Sequence, residues 1–262
     1  MYIEQTDSTN SLMQRILRGE EPQYAACLKE DIPLIYTTYQ TAGRGQTGNG
    51  WESEQGKNLL LSYLLREPKV KIEDQFMLNV IAAITAHRTI AEWLSNERRA
   101  MLTIKWPNDI YIGNKKIAGI LVENSLMGEH IQHSIAGIGI NVNQEQWLGD
   151  APNPVSIKML TGAKADIDAI KNRFVQKLHT TLSWEPVQQR NYYRVHQYRR
   201  DGYYPYVERE VSTQPTMNAA GGTDGQFMAR IQAVLPTGEL VLVDQQGQER
   251  TYHFKQIRYV VS

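Results

Sequence analysis

The chain has 262 residues, and its hydrophobic content of 41% is ordinary for a globular protein with one large and one small domain. Lysine plus arginine and aspartate plus glutamate both number 28, so no net charge attracts nucleic acid or an anionic membrane. The single cysteine excludes an intrachain disulfide, and no secretion signal or membrane-length apolar run is recognisable, so we expect a cytoplasmic protein.

Helices and strands are predicted in turn along the first part of the chain. Apolar residues at helical spacing predict a helix over residues 10–18, with Ser8 or Thr9 available as its N-cap. The runs PLIYTTY and NLLLSYLL predict two strands joined by a glycine-rich loop. Apolar residues at three- to four-residue steps over residues 74–96 predict a long amphipathic helix that packs on the sheet.

The middle of the chain reads as strands with tight turns. MLTIKWPNDIYIGNKKIAGILVENS predicts three strands separated by a Pro-Asn-Asp turn and a Gly-Asn hairpin turn, and HSIAGIGINVN predicts a fourth. Asp166 is expected to cap one helix, and residues 185–199 to form another. QFMARIQAV, ELVLVDQQ and ERTYHFKQIRYV then predict a small β-barrel or meander, with residues 212–225 as a flexible surface loop within it.

The loop GRGQTG fits the pattern G-x-G-x-x-G through Gly43, Gly45 and Gly48. A strand rather than a helix follows, so the helix N-terminus of a dinucleotide site is missing. The spacing of GWESEQGKN, with Asn58 in place of a metal-binding hydroxyl, also excludes a P-loop. The loop is either a mobile hairpin connection or a place where backbone and Arg44 approach an anionic ligand.

Several polar residues at predicted strand ends have ordinary structural explanations: a solvated turn for Lys105, a hairpin tip for Lys116, a helix cap for Ser8 and Thr9, and a strand end for Asn141. Together with the arginine of the glycine loop, the two lysines nevertheless predict a binding site for an anion. The six histidines show no metal-ligand spacing and no G-x-S-x-G elbow occurs, so metal sites and triad hydrolases lack support.

Four motifs then occur in a fixed order: DSTN, QTAGRGQTGNGW, KWPNDIYIGNKKIAGILVE and GIGINVN. In this combination the chain closely resembles biotin protein ligases, the biotin–acetyl-CoA-carboxylase synthetases, strongly over residues 7–143 and more weakly beyond. The resemblance implies an α+β fold in which a mixed β-sheet is flanked by helices, as in class II aminoacyl-tRNA synthetases. It also implies a catalytic domain over residues 1–204 and a small SH3-like β-barrel over residues 205–262.

The implied reaction joins two anions. The carboxylate of biotin attacks the α-phosphorus of ATP, which gives biotinyl-5′-AMP and pyrophosphate, and biotin then passes to a lysine of a biotin carboxyl carrier domain. Cationic side chains and backbone N–H groups have to neutralise the charge, with Mg²⁺ assisting the departing pyrophosphate. A loop that orders over the reactive anhydride would exclude water until the acceptor arrives.

The resemblance also implies roles for individual residues. Lys116, between the biotin carboxylate and the α-phosphate, and Arg44 are the implied catalytic residues. The implied biotin site consists of Ser8, Thr9, Gln40, Arg44, Lys116 and Gly119. The implied ATP and adenylate site consists of Gly43, Gly45, Gln46, Trp51, Lys105, Asn108, Asp109 and Asn141. Trp51 and Trp106 have the alternative of being core aromatics.

Two departures from the family pattern carry expectations. Many members have further loop arginines where this chain has Gln46, Thr47 and Asn49, so we expect it to hold the adenylate less tightly. Some relatives begin with a helix-turn-helix domain of about sixty residues and repress transcription. Here the DSTN motif starts at residue 7, so we expect no repressor function and no nucleic-acid partner.

Two other functions stay open at this point. Related folds transfer lipoate or octanoate to similar acceptor domains, and a protein could retain an adenylate pocket as a biotin sensor without catalysis. The oligomeric state is also open. The end of the GIGINVN strand offers one route to a homodimer, by edge-to-edge strand pairing.

Overall fold

The computed structural model describes residues 1–46, 49–149, 153–209 and 226–260. Gly48 and the predicted loop over residues 212–225 lie outside these ranges. The helices are α1 (Thr9–Leu17), α2 (Met77–Ala91), α3 (Asn96–Ala100), α4 (Ile157–Thr161), α5 (Ile167–Leu182) and α6 (Pro186–Val195). The strands are β1 (Tyr2–Thr6), β2 (Leu34–Gln40), β3 (Leu59–Arg66), β4 (Leu102–Lys105), β5 (Asp109–Ile112), β6 (Lys115–Met127), β7 (His130–Ile140), β8 (Tyr204–Glu208), β9 (Gln226–Val234), β10 (Leu240–Asp244), β11 (Glu249–Tyr252) and β12 (Ile257–Tyr259).

Seven strands form the larger sheet, in the order β1-β2-β3-β7-β6-β5-β4. β1 and β2 run parallel and the remaining neighbours are antiparallel, so the sheet is mixed as expected. The proposed route to a homodimer through the GIGINVN strand is wrong. The first four residues of that run end β7, which pairs with β3 on one side and with β6 on the other, so this strand has no free edge there for a second chain.

Alternation along β3 sorts its side chains between two layers. Leu59, Leu61 and Tyr63 pack in the main core with α2, whereas Leu64 packs in a second core beneath α1. The predicted long helix is instead α2 followed by the short α3. α2 is apolar on nearly every side rather than amphipathic, because it lies between the sheet and helices α5 and α6. No described helix combines the length and apolar character needed to cross a membrane.

The remaining five strands form an antiparallel sheet in the order β11-β10-β9-β8-β12. Sequence analysis missed β8, and the run ERTYHFKQIRYV divides into β11 and β12 around a turn in which Lys255 adopts a left-handed φ of 74°. The Trp106 indole N–H donates to the Gly238 carbonyl at 2.9 Å, and Trp106 as a whole is 4% exposed. Trp106 is therefore a core aromatic that joins the two sheets.

A buried histidine stabilises the packing of α2 against α6. His87 is 3% exposed, and its Nδ1 and Nε2 lie 2.9 Å from the Tyr192 hydroxyl and 3.1 Å from the Leu102 carbonyl. Burial, together with a smaller contribution from the adjacent His196, lowers the pKa of His87 to about 4. The folded state therefore holds His87 neutral at pH values where the unfolded chain would protonate it.

We expect His87 to make the fold acid-sensitive. Because its folded pKa lies below the ordinary 6.5, its contribution is complete above that pH and is lost as the pH falls towards 4, on the order of 3 kcal/mol in all. Urea unfolding from pH 7 to pH 4 measures this loss. His87→Gln should flatten the pH dependence, whereas the exposed His130→Gln should leave it unchanged. A His87→Gln curve parallel to that of the wild type would contradict the assignment.

Candidate active site

A cavity of about 410 Å³ lies on the α1 face of the larger sheet. Its floor is a row of residues that the strand register places side by side: Leu60 of β3, Gly139 of β7, Gly119 of β6 and Asp109 of β5. Ile120 and its alternate neighbours on β6 point into the α2 core instead. The period of two therefore presents one polar, glycine-containing face to the cavity and one apolar face to the protein interior.

Trp51 covers the glycine pair at the centre of this floor. A Cβ atom on Gly119 would lie 2.6 Å from Trp51 Cζ3, and a Cβ on Gly139 would collide with the same indole. Only glycine at both positions allows the ring to lie against the backbone of β6 and β7. The Trp51 Nε1 is buried and has no hydrogen-bond partner among the described residues.

The glycine loop forms a narrow hairpin, which we call the glycine hairpin and define as residues 43–46 and 49–51. Arg44 and Gly50 form an antiparallel bridge, and the Trp51 N–H donates to the Gly43 carbonyl at 2.9 Å. Gly43 does not line the cavity; a Cβ there would collide with the Trp51 carbonyl oxygen. This glycine thus serves the close approach of the two hairpin arms rather than that of a ligand.

The start of α1 forms one end of the cavity. Ser8 occupies the N-cap position but makes no capping hydrogen bond, so its hydroxyl stays available to the cavity. Thr9 donates to Gln40 Oε1 from its backbone N–H at 2.8 Å and from its hydroxyl at 3.1 Å. A two-pronged hydrogen bond from Arg15, with a further one from Thr6, lowers the pKa of Asp7 to about 2 and fixes the segment before Ser8.

A β-bulge turns Lys116 towards the cavity. Ile110 pairs with Ala118 but Tyr111 pairs with Lys116, so β6 carries one extra residue at this point. Without the bulge, Lys116 and Gly119 would face opposite sides of the sheet, because they are an odd number of residues apart. Lys116 Nζ instead lies 2.8 Å from Asp109 Oδ1 and 5.5 Å from the centre of the Trp51 ring.

The Pro-Asn-Asp turn positions the neighbouring polar residues. Asn108 is buried and donates from its amide to the Ile120 carbonyl, which ties the turn to β6. Lys105 Nζ donates to the Tyr111 hydroxyl at 3.2 Å and lies over the Tyr111 ring. Burial lowers the pKa of Lys105; Asp109 counteracts this shift, and Lys116 and Arg199 add to it.

Positive charge dominates the described part of the cavity wall. Six cationic side chains line it: Arg44, Lys105, Lys116, Arg209, Lys255 and Arg258. Among the described lining residues Asp109 is the sole carboxylate. Like charges brought together in a confined space repel one another, so the cavity favours an anionic ligand.

Twelve of the fourteen predicted site residues line this one cavity, all except Gly43 and Asn141. Asn141 is 3% exposed and donates to the Val155 carbonyl at 3.1 Å, while its Oδ1 has no partner among the described residues. It lies behind Lys116, whose backbone carbonyl is 3.4 Å from the same amide nitrogen. Its place in the implied ATP and adenylate site stays a prediction, as do the other individual roles.

Sequence analysis missed two groups of residues at the site. Asn10 and Glu123 stand next to predicted residues within DSTN and KIAGILVE, and the period of two along β6 could have assigned Glu123 to the same face as Gly119. The second sheet contributes Arg209, Phe254, Lys255, Ile257, Arg258 and Tyr259. No local sequence signal marks them, because their position depends on how the second sheet packs against the first.

Residues 2–141, more than half of the chain, match the biotin/lipoate A/B protein ligase family. The chain belongs to this family. The bifunctional ligase/repressor BirA of Bacillus spizizenii is 29% identical over 227 residues, which cover 84% of this chain and 64% of that protein. The biotin–acetyl-CoA-carboxylase ligase of Mycobacterium tuberculosis is 28% identical over 181 residues, 69% of this chain and 62% of that protein. The chain thus spans less than two thirds of the length of either relative.

Solved members of the family share the fold. The biotin protein ligase from Aquifex aeolicus in complex with biotin and ATP gives a TM-score of 0.68 at 17% identity, covering 99% of this chain and 98% of that one. The Leishmania major biotin protein ligase in complex with biotinyl-5-AMP gives 0.60 at 20% identity, covering 96% and 97%. The chain therefore has the biotin protein ligase fold, with a mixed sheet, helices and a second antiparallel sheet.

The packing of the Trp51 ring against Gly119 and Gly139 can be tested without a ligand. Gly139→Ala should displace the indole and loosen the glycine hairpin, so that trypsin cleaves the folded protein after Arg44 several times faster at a temperature well below its melting transition. Gly50→Ala is the matched control, because the nearest atom to its added methyl is 3.7 Å away. Equal cleavage rates in the two variants would show that the ring is not held against these glycines.

Proposed function

We propose that this chain is an ATP-dependent biotin protein ligase. It would activate biotin as biotinyl-5′-AMP with release of pyrophosphate and then transfer biotin to a specific lysine of a biotin carboxyl carrier domain. The observation that carries this proposal is one cavity in which residues from all four motifs meet an excess of positive charge. The names and ligands of the relatives support the same substrates.

The charges of the cavity suit the chemistry. A carboxylate and a triphosphate repel, so their approach requires cations that are already in place before the reaction. We assign Lys116 to the charge that develops between the biotin carboxylate and the α-phosphate, because Asp109 and the Trp51 ring hold its ammonium in position. Lys105 would bind phosphate oxygens, and a bound anion would raise its lowered pKa again.

The other end of the cavity suits the neutral head group of biotin. A ureido ring has one acceptor and two donors, and the Ser8 hydroxyl, which makes no capping hydrogen bond, can bind it. The Thr9 backbone N–H and hydroxyl both donate to Gln40 Oε1 and hold Gln40 at this end of the cavity. Gly119, which lines the cavity beside the Trp51 ring, would contribute its backbone next to the biotin tail. Trp51, Asn108 and Asp109 form the proposed nucleotide wall.

ATP brings Mg²⁺ as the usual counter-ion, and the donor set fits such an ion. Mg²⁺ takes most of its ligands from phosphates and water and needs one or two carboxylates from the protein. Asp109 is the carboxylate that the described cavity wall provides. When bound, the ion would neutralise phosphate charge and assist the departing pyrophosphate.

We further propose that residues 1–204 form the catalytic domain, related in architecture to class II aminoacyl-tRNA synthetases, and that residues 205–262 form an SH3-like barrel. In support of the boundary, β8 begins at Tyr204, and the strands from β8 onwards pair only among themselves in the described chain. The cations of the second sheet that line the cavity give this domain a part in binding ATP phosphates. Location in the cytoplasm and absence of repressor function remain expectations.

Biotin-dependent exchange of radiolabelled pyrophosphate into ATP tests substrate, nucleotide and reaction type together. We expect exchange with biotin and none with lipoate. Lys116→Ala should lower the rate by about 100- to 1,000-fold, since one preorganised charge at the reacting centre is removed. The exposed neighbour supplies the control variant Lys115→Ala, which should keep the wild-type rate. Exchange with lipoate alone, or near-normal exchange in Lys116→Ala, would contradict the proposal.

Gln46 accounts for a second expected property, the early release of the adenylate. Gln46 lines the cavity on the glycine hairpin, where it adds no charge. Gln46→Arg should slow dissociation of biotinyl-5′-AMP several-fold, because an added cation attracts the phosphate. A pulse of labelled adenylate chased with unlabelled adenylate measures the rate. An unchanged or faster rate in Gln46→Arg would argue against the charge explanation.

A further inference from the structure

A polar chain connects the floor of the sheet to the glycine hairpin. Arg44 Nη2 lies 2.5 Å from Glu123 Oε1, and Arg44 Nη1 lies 3.5 Å from the other carboxylate oxygen and 3.1 Å from the Ser11 hydroxyl. This other oxygen is Glu123 Oε2, and the Asn10 side-chain amide donates to it at 2.8 Å. The side chain of Glu123 therefore stands between a residue of α1 and the cation of the hairpin.

Asn10 is the fixed end of this series of polar contacts. It is 2% exposed, and its Oδ1 accepts from the Ser62 hydroxyl at 2.6 Å while its amide also donates to the Leu121 carbonyl at 3.2 Å. Beneath it, Gly137 has no Cβ, and any Cβ there would collide with Asn10 Oδ1. A side chain that is nearly fully buried and hydrogen-bonded at both ends fixes the carboxylate that it contacts.

The charge of Arg44 is consequently balanced before any ligand arrives. Its guanidinium directs two nitrogens towards one carboxylate and one of them also towards a hydroxyl, an arrangement that holds a planar group in a single orientation. Arg44 is also the residue that bridges to Gly50 across the hairpin. An ion pair at Arg44 thus restrains both arms of the hairpin.

We propose that Glu123 is a positioning residue that holds the glycine hairpin over the cavity through Arg44, and that the Arg44 guanidinium is an anchor for the hairpin rather than a ligand of phosphate. The Trp51 ring packs on the sheet at one end of the hairpin, and the ion pair of Arg44 with Glu123 holds the hairpin at the other end. The inference deepens the proposed ligase function and rests on it only for the effect on biotin. It assigns the charge at the reacting centre to Lys116 and Lys105.

Hydrogen exchange in the ligand-free protein tests the anchor independently of activity. Peptides that cover the glycine hairpin should exchange about tenfold faster in Glu123→Gln and in Arg44→Gln than in the wild type. The double variant should exchange no faster than either single variant, because all three lose the same interaction. Glu129→Gln, at the exposed tip between β6 and β7, is the control and should exchange as the wild type does.

Steady-state pyrophosphate exchange supplies the second readout. KM for biotin should rise about tenfold in both single variants and not further in the double variant, while kcat at saturating biotin stays within about threefold of the wild type. If Arg44 bound phosphate instead, Arg44→Gln would lower kcat and Glu123→Gln would not, which would overturn the inference. Unchanged hydrogen exchange in Glu123→Gln would overturn it as well.

The two proposals fail in different ways. A protein without any biotin-dependent exchange of pyrophosphate, but with the expected hydrogen-exchange pattern in all four variants, would contradict the ligase function and support the anchor. A protein with normal ligase activity and additive effects of Arg44→Gln and Glu123→Gln would support the function and contradict the anchor.

Discussion

The contact between one indole and two facing glycines is the constraint on which the site depends. Trp51 can lie on β6 and β7 only because Gly119 and Gly139 are paired across those strands and both lack a Cβ. A strand interior gives up stability when it contains glycine, so this pair has a local cost that the packed indole offsets. With the ring in place, the hairpin that carries it forms a wall of the cavity.

The same packing governs the electrostatics of the cavity. A confined space lined by six cations would be unfavourable in the absence of ligand, and the structure lowers this cost through ion pairs with acids. Lys116 is paired with Asp109, and Arg44 with Glu123. Lys105 lies against aromatic rings, and burial lowers its pKa. Anionic ligands would thus find charges already oriented, with little reorganisation needed at binding.

Local sequence patterns predicted most of the helices and strands, but they did not predict which of these elements pack next to one another. Alternation identified β2, a short continuous apolar run identified β3, and β7 was also predicted as a strand. Asp166 caps α5 as expected, accepting hydrogen bonds from two backbone N–H groups. The central position of β7 was not predictable in this way, because strand order depends on contacts between distant segments. The all-round burial of α2 likewise follows from the helices that cover it.

In the candidate site, too, local motifs predicted some residues, whereas others depend on contacts between distant segments. Residues that follow directly from motif order, such as Lys116 and Gln40, were predicted, and the structure brings them to one cavity. The β-bulge that turns Lys116 into the cavity leaves no recognisable mark in the sequence, since it is a property of the pairing between β5 and β6. The position of the cations of the second sheet depends on the packing between the two sheets, where the hydrogen bond from Trp106 to Gly238 joins segments 132 residues apart.

These observations separate the cavity into a rigid part and a part that can open. The floor consists of central strands, and the end near α1 is fixed by the buried Asn10 and by the pair of Asp7 with Arg15. The cover consists of the glycine hairpin, whose described residues contact the sheet through the Trp51 ring and through the ion pair of Arg44 with Glu123. Two contacts of different kinds allow a cover to open for substrates without disturbing the core, because neither belongs to the sheet hydrogen bonding. An enzyme that must admit two anions and then shelter an unstable anhydride requires this separation between a fixed binding surface and a cover held by a few side chains.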